Sequence, residues 1–138
     1  MTIPSRGLVV SIVCVVMASI GPGRARAEGP AFKTVHLFNL ASGAEADLLA
    51  ALDEVNQAIA KEGYPDCRYR VWKVQGDQQG SHAYLWESTW PDRAVYAKVH
   101  DAQSYQRAIQ RVRSAIEAPL KDHVYNQYEQ IAVAGAKK

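Results

Sequence analysis

The sequence predicts an α+β domain, a four-stranded antiparallel sheet with two helices on one face. Three observations point to it. Short β-branched and aromatic runs are separated by two longer stretches with apolar residues at helical spacing. The elements fall in the order strand, helix, strand, strand, helix, strand, and the chain divides into two similar strand-helix-strand halves.

Thr34 to Leu40 (TVHLFNL) reads as the first strand, closed by the turn-forming Ser42 and Gly43. Ser42 and Glu45 have the three-residue spacing of a capping box, and Leu48, Leu49, Leu52, Val55 and Ile59 follow at helical spacing. Gly63 and Pro65 supply a helix stop. Arg68 to Val74 (RYRVWKV) and His82 to Trp90 flank the polar, glycine-bounded GDQQG at 76 to 80, which makes a hairpin. After Trp90, Pro91 suits the first turn of a helix and Asp92 favours its positive end. Asp101 can begin a second helical piece, with Tyr105, Ile109, Val112 and Ile116 along one side; Pro119 stops it, and Val124 to Val133 forms the last strand. This order has one economical solution, the split βαβ or ferredoxin-like arrangement.

The strands carry apolar or aromatic residues at both parities: Val35 and Leu37 against Phe38 and Leu40, Tyr84 and Trp86 against Leu85. A sheet wetted on its second face would alternate more cleanly. The expected partner for that face is a second copy in a two-fold dimer.

Residues 1–27 read as a secretory signal. Arg6 supplies the positive start, LVVSIVCVVMASI from Leu8 to Ile20 the apolar run, and Ala25-Arg26-Ala27 the small-x-small cleavage pattern. Gly21 to Arg24 cut the run short of the roughly 20 apolar residues that a spanning helix needs. Cleavage after Ala27 leaves residues 28–138 as a single domain, periplasmic or secreted, with no membrane association. The signal holds three of the sixteen basic residues and none of the fourteen acidic ones, so the mature chain carries a net charge of −1. Arg107, Arg111 and Arg113 are the only basic cluster, and Asp101, Glu117 and Asp122 balance it; nucleic-acid binding is not expected. Cys14 leaves with the signal, so no intrachain disulfide is available to Cys67, read as a small buried side chain.

Trp86 and Trp90 stand four apart on a strand and therefore share a face with Tyr84 and Ser88. Core packing and the wall of an aromatic pocket are both open to them. Asn39, His100 and Tyr125 or Tyr128 are the polar groups expected near such a pocket. His100 is the candidate proton acceptor, since an imidazole titrates near neutral pH. His36 and His82 face either a dimer interface or a pocket, and His123 follows Asp122 at a helix end. No zinc motif is present, and neither a metal nor a cofactor is expected.

The run YLWESTWPDRAVYAKVHDAQSYQRAI, together with the element order, resembles the dimeric α/β-barrel superfamily, and within it the antibiotic biosynthesis monooxygenase-like group. The resemblance spans residues 33 to 133. It implies a homodimeric barrel in which His100 acts as base, Asn39 as a donor to developing negative charge, and Trp86 and Trp90 hold a small aromatic or quinol-like substrate during cofactor-independent oxygenation. The superfamily also contains haem-degrading oxygenases. Asn39 and Trp90 match two residues of that branch, but Ile109 stands where its iron-ligating histidine belongs. A non-catalytic ligand-binding or structural dimer, and a haem-binding protein, are the alternatives.

Overall fold

Alternation in the first strand divides its side chains cleanly: Phe32, Thr34 and Phe38 are buried, while the residues between them are not. The structure is a computed structural model that describes residues 31–76 and 80–131. The signal-peptide reading of residues 1–27, Val133 and part of the GDQQG connection lie outside the described residues.

Strand β1 spans Phe32–Leu40, helix α1 Glu45–Lys61, strand β2 Arg70–Lys73 and strand β3 Tyr84–Trp90. Helices α2 (Arg93–Asp101) and α3 (Gln103–Glu117) follow, then strand β4, Leu120–Glu129. The sheet order is β2-β3-β1-β4, with every neighbouring pair antiparallel. The predicted α+β, ferredoxin-like architecture is therefore present, its second helical segment divided in two at Ala102.

Local chemistry corrects several boundaries. Ser42 and Glu45 do not form a capping box: Ala44 is the N-cap and no side chain caps it. Gly43 adopts φ 80°, and the turn it makes delays the helix until Glu45, two residues later than a Ser42 cap requires. Asp92, rather than starting within the helix, is its N-cap and accepts a 2.8 Å bond from the Val95 amide. Asp101 ends α2 instead of opening α3, and β4 begins at Leu120, so His123 belongs to a strand and not to a helix end.

The helix-facing side of the sheet packs Phe32, Phe38 and Trp90 against Leu48, Val55, Ile59 and Val99, all at most 1% exposed. Each such side chain contributes roughly 1.5–3 kcal/mol. The polar groups beneath them are paired: Thr34 and Ser88 join through their hydroxyls at 2.8 Å, and the Trp90 indole N–H donates to Ser88 Oγ at 2.7 Å. Cys67 is buried in a 3-10 turn, Pro65–Cys67.

The opposite face is a different surface. Trp72, Leu85, Leu37 and Val124 lie opposite one another across all four strands, in the row order β2, β3, β1, β4. Trp72 is 53% and Val124 41% exposed. Val35 shares this face, and so do Lys33 and Glu87, which form a 2.6 Å ion pair. Arg70 lies opposite Glu87 across the hairpin, but the Glu87 carboxylate meets the lysine of the neighbouring central strand.

Candidate functional site

A cavity of about 410 Å³ lies between the sheet and helices α1 and α3. Leu52, Ile109, Ile116 and Leu120 give it apolar walls, and Trp86, Tyr69, Tyr105, His36 and His123 give it aromatic and polar ones. This mix of greasy walls and a few convergent polar groups is what small-molecule sites are made of.

The sheet positions the two histidines. His36 lies opposite both Trp86 and Tyr125 in the central strand pairing. His123 reaches the same side by plain alternation, two residues before Tyr125, and β4 bulges just there: Asp122 and His123 together oppose the single Phe38, between the pairs Leu37–Val124 and Asn39–Lys121. The extra residue resets the alternation, so that His123 and Leu120 both line the cavity. Asp122 takes the left-handed conformation at φ 52°, a region that Asp and Asn tolerate better than most residues.

His36 Nδ1 and His123 Nε2 are 2.8 Å apart, with nearly parallel rings. Burial first, then the neighbouring His123, pushes the His36 pKa down to about 3, so His36 is neutral at ordinary pH. In a neutral pair one ring donates and the other accepts. With both rings neutral the pair offers one outward lone pair and one outward N–H. Taking a proton at one end and releasing one at the other exchanges them.

A second chain of polar groups runs into the protein from Tyr69 and Tyr105. His100 Nδ1 donates to the Tyr96 carbonyl oxygen at 2.8 Å, which fixes its tautomer and leaves Nε2 as an acceptor. The Tyr69 hydroxyl, 3.1 Å away, donates to that nitrogen. Having used its proton, Tyr69 accepts one from the Tyr105 hydroxyl at 2.8 Å. Burial lowers the His100 pKa and keeps the ring neutral. Burial, then Tyr105, holds Tyr69 well above the ordinary phenol value, and burial pushes Tyr105 up to about 12. Asn56 on α1 holds Tyr69 in place from both sides of its peptide: Asn56 Nδ2 donates to the Tyr69 carbonyl at 3.1 Å, and the Tyr69 amide donates to Asn56 Oδ1 at 2.6 Å.

No protein-family model matches the sequence, and no curated protein is detectably similar to it. Solved structures are similar in three dimensions. A cofactor-independent oxygenase from Streptomyces nogalater, SnoaB, in a mutant form, aligns with TM-score 0.54 at 10% identity, covering 77% of this chain and 98% of that one. A DABB family protein with a ferredoxin-like fold from Mesorhizobium loti aligns with TM-score 0.55 at 16% identity, over 75% and 99% of the two chains. The chain has the ferredoxin-like fold. A dimeric ferredoxin-like protein of unknown function from Jannaschia aligns equally well, with TM-score 0.54 at 17% identity over 72% and 99%. At 10%, 16% and 17% identity these likenesses bear on the fold alone.

Within the ferredoxin-like framework the site residues expected from sequence separate. Trp86 lines the cavity, its ring 4.3 Å from that of His36. Trp90 is core: it is 1% exposed, its N–H is taken by Ser88, and its ring stands edge-on to His100 at 5.2 Å. His100 is set behind Tyr69, whose hydroxyl occupies its basic nitrogen. Tyr125 packs on His36 at 4.6 Å and shares a 3.1 Å hydroxyl contact with Tyr96. Tyr84 donates to Glu45 at 3.0 Å and lines a separate shallow depression with Leu40 and Gly43. Tyr128, opposite Lys33, is on the other face of the sheet.

Asn39 is likewise not among the cavity-lining residues. Its amide donates to the Ser81 carbonyl at 2.9 Å and to Asp122 Oδ2 at 3.1 Å, and its oxygen accepts from the Ala83 amide at 2.9 Å. Asn39 thus ties the ends of β1 and β3 to the β4 bulge that carries His123. His82 reinforces the bulge, its Nε2 donating to the Asp122 carbonyl at 2.8 Å. Sequence reasoning missed Tyr69, Tyr105 and the His36–His123 pairing. The period-two position of His36, on the same parity as Phe38, was the one available signal.

Proposed function

We propose that this protein is an exported homodimer whose ferredoxin-like chains each bind a small aromatic molecule between sheet and helices and oxidise it with dioxygen without a cofactor. The neutral His36, joined to His123 in an aromatic cavity of about 410 Å³, is the observation that carries the reading. A phenolic or quinol-like ligand there meets a hydrogen-bonded imidazole pair that can take a proton at one ring and release one at the other. With the substrate deprotonated, a ring carbon can reduce dioxygen directly. One oxygen atom ends in the product carbonyl, the other leaves as water, and the substrate supplies all four electrons. His100 acts at one remove, through the Tyr69 hydroxyl, and Asn39 is a positioning residue for His123.

The exposed row Trp72, Leu85, Leu37 and Val124 supports pairing of two copies sheet to sheet. Neighbours described as dimeric share the fold. Export rests on the charged start, apolar run and Ala-x-Ala of residues 1–27.

The test is oxygen uptake by the purified dimer with a panel of simple quinols. Uptake by the wild type that is lost in His36→Phe, with the dimer intact by sedimentation, supports the enzyme. No uptake with any quinol removes it and leaves a ligand-binding dimer. A specific observation favours that second reading: the Tyr105, Tyr69, His100 and Tyr96 chain is internally complete, as a purely structural network would be.

A further inference from the structure

Among the described residues, one buried side-chain polar atom lacks a hydrogen-bond partner, the indole Nε1 of Trp86. The residue is 5% exposed and lines the cavity. An indole N–H is a donor and nothing else, so only an acceptor satisfies it. Leaving such a group buried and unmatched costs about 1–3 kcal/mol, and native proteins keep few of them. The same sheet face shows the contrast: Trp90, four residues on, has its N–H answered by Ser88 at 2.7 Å. The rings packed on Trp86, those of Phe38, Tyr69 and His36, place no acceptor within hydrogen-bond reach of its N–H.

The cavity also limits the charge of its occupant. No lysine or arginine lines it, its one acidic group, Glu117, is largely solvent-exposed, and its neighbour Arg113 stands 3.9 Å away. An anion would find no cation there, and a cation would find only a weak partner. The hydroxyl protons of Tyr69 and Tyr105 are already committed inward, to His100 and to Tyr69. Beside the one outward N–H of the histidine pair, the Trp86 indole is therefore the donor held in reserve for a ligand.

We propose that Trp86 is the specificity-determining residue of this cavity, its indole N–H donating to a carbonyl or phenol oxygen on a neutral, planar aromatic ligand. The inference rests on the reading of the cavity as a ligand site, but not on any turnover there.

Indanone and indane differ by one carbonyl oxygen and provide the test, with the intact wild-type protein titrated by calorimetry and by the indole N–H resonances of isotope-labelled tryptophan. Indanone should bind at least about tenfold more tightly than indane, the worth of one hydrogen bond to an otherwise unmatched donor. Indanone alone should move the Trp86 N–H resonance, and the preference should vanish in Trp86→Phe while indane binding is kept. Equal binding of both compounds with the Trp86 resonance unmoved overturns the role of Trp86 and leaves a purely apolar ligand site. Failure of both to bind overturns the ligand site itself. Should Trp86→Phe not fold, the wild-type affinities and resonance shift decide the matter by themselves.

Discussion

His36 Nδ1 meets His123 Nε2 at 2.8 Å, diagonally across two paired strands, because His123 stands two residues from Tyr125, the residue opposite His36. The pair makes stability depend on pH in a definite direction. The native state holds His36 neutral down to about pH 3, whereas the unfolded chain protonates it near its ordinary value of 6.5. The unfolded state therefore binds more protons between these limits. Stability is fully present above about pH 6.5 and falls steadily as pH drops toward 3. His100, also lowered by burial, acts in the same direction. Urea midpoints measured from pH 7 to 4 should decline in the wild type and decline less steeply in His36→Gln.

Tyr69→Phe removes the hydroxyl that links Tyr105 to His100. His100 Nε2 is then a buried acceptor without a donor, and Tyr105 loses its acceptor. The expected loss is about 1–3 kcal/mol of unfolding free energy. His100→Ala on top of Tyr69→Phe should cost less than the sum of the two single changes, because they share one interaction. A double-mutant cycle in guanidinium that came out additive would contradict the chain.

Asp122 in the left-handed region discriminates among substitutions by backbone freedom. Asp122→Val should lose about 1–3 kcal/mol, the strain of a β-branched residue there. Asp122→Gly removes the strain but also the 3.1 Å bond from Asn39, so it should sit much closer to wild type. Calorimetric melting of the two variants checks the order.

Leu37→Asp places a carboxylate in the middle of the exposed apolar row, between Leu85 and Val124. If two copies pack through this face, the change buries an unpaired charge at their interface and should give monomers by sedimentation at concentrations where the wild type is dimeric. Trp72→Ala, at the row's edge strand, should weaken association less than Leu37→Asp.

The βαββαβ order was legible in the sequence because each element announces itself locally. Gly63 stops α1 at φ 90°, Asp92 caps α2, and Phe32, Thr34 and Phe38 alternate with half-buried neighbours on β1. The second apolar face of the sheet was legible for the same reason, since parity alone assigns Leu37 and Leu85 to the side opposite Trp86. Boundaries were less so. Ser42 and Glu45 have the spacing of a capping box, yet the positive φ of Gly43 moved the helix past it.

The site divided along the same line. The aromatic strand and the presence of His100 could be read from the residues, but not the fate of each. Trp86 and Trp90 have the same parity and nearly the same burial, and only the position of Ser88 and the cavity makes one a satisfied core residue and the other a wall with an unanswered donor. His36 and His123 are 87 positions apart and meet through the β1–β4 register, which no local periodicity announces. By itself the chain determined its elements, their order and which faces are greasy, because these follow from short-range sterics and alternation. Tertiary structure alone decided which polar groups meet, because hydrogen bonding acts over about 3 Å between residues far apart in sequence.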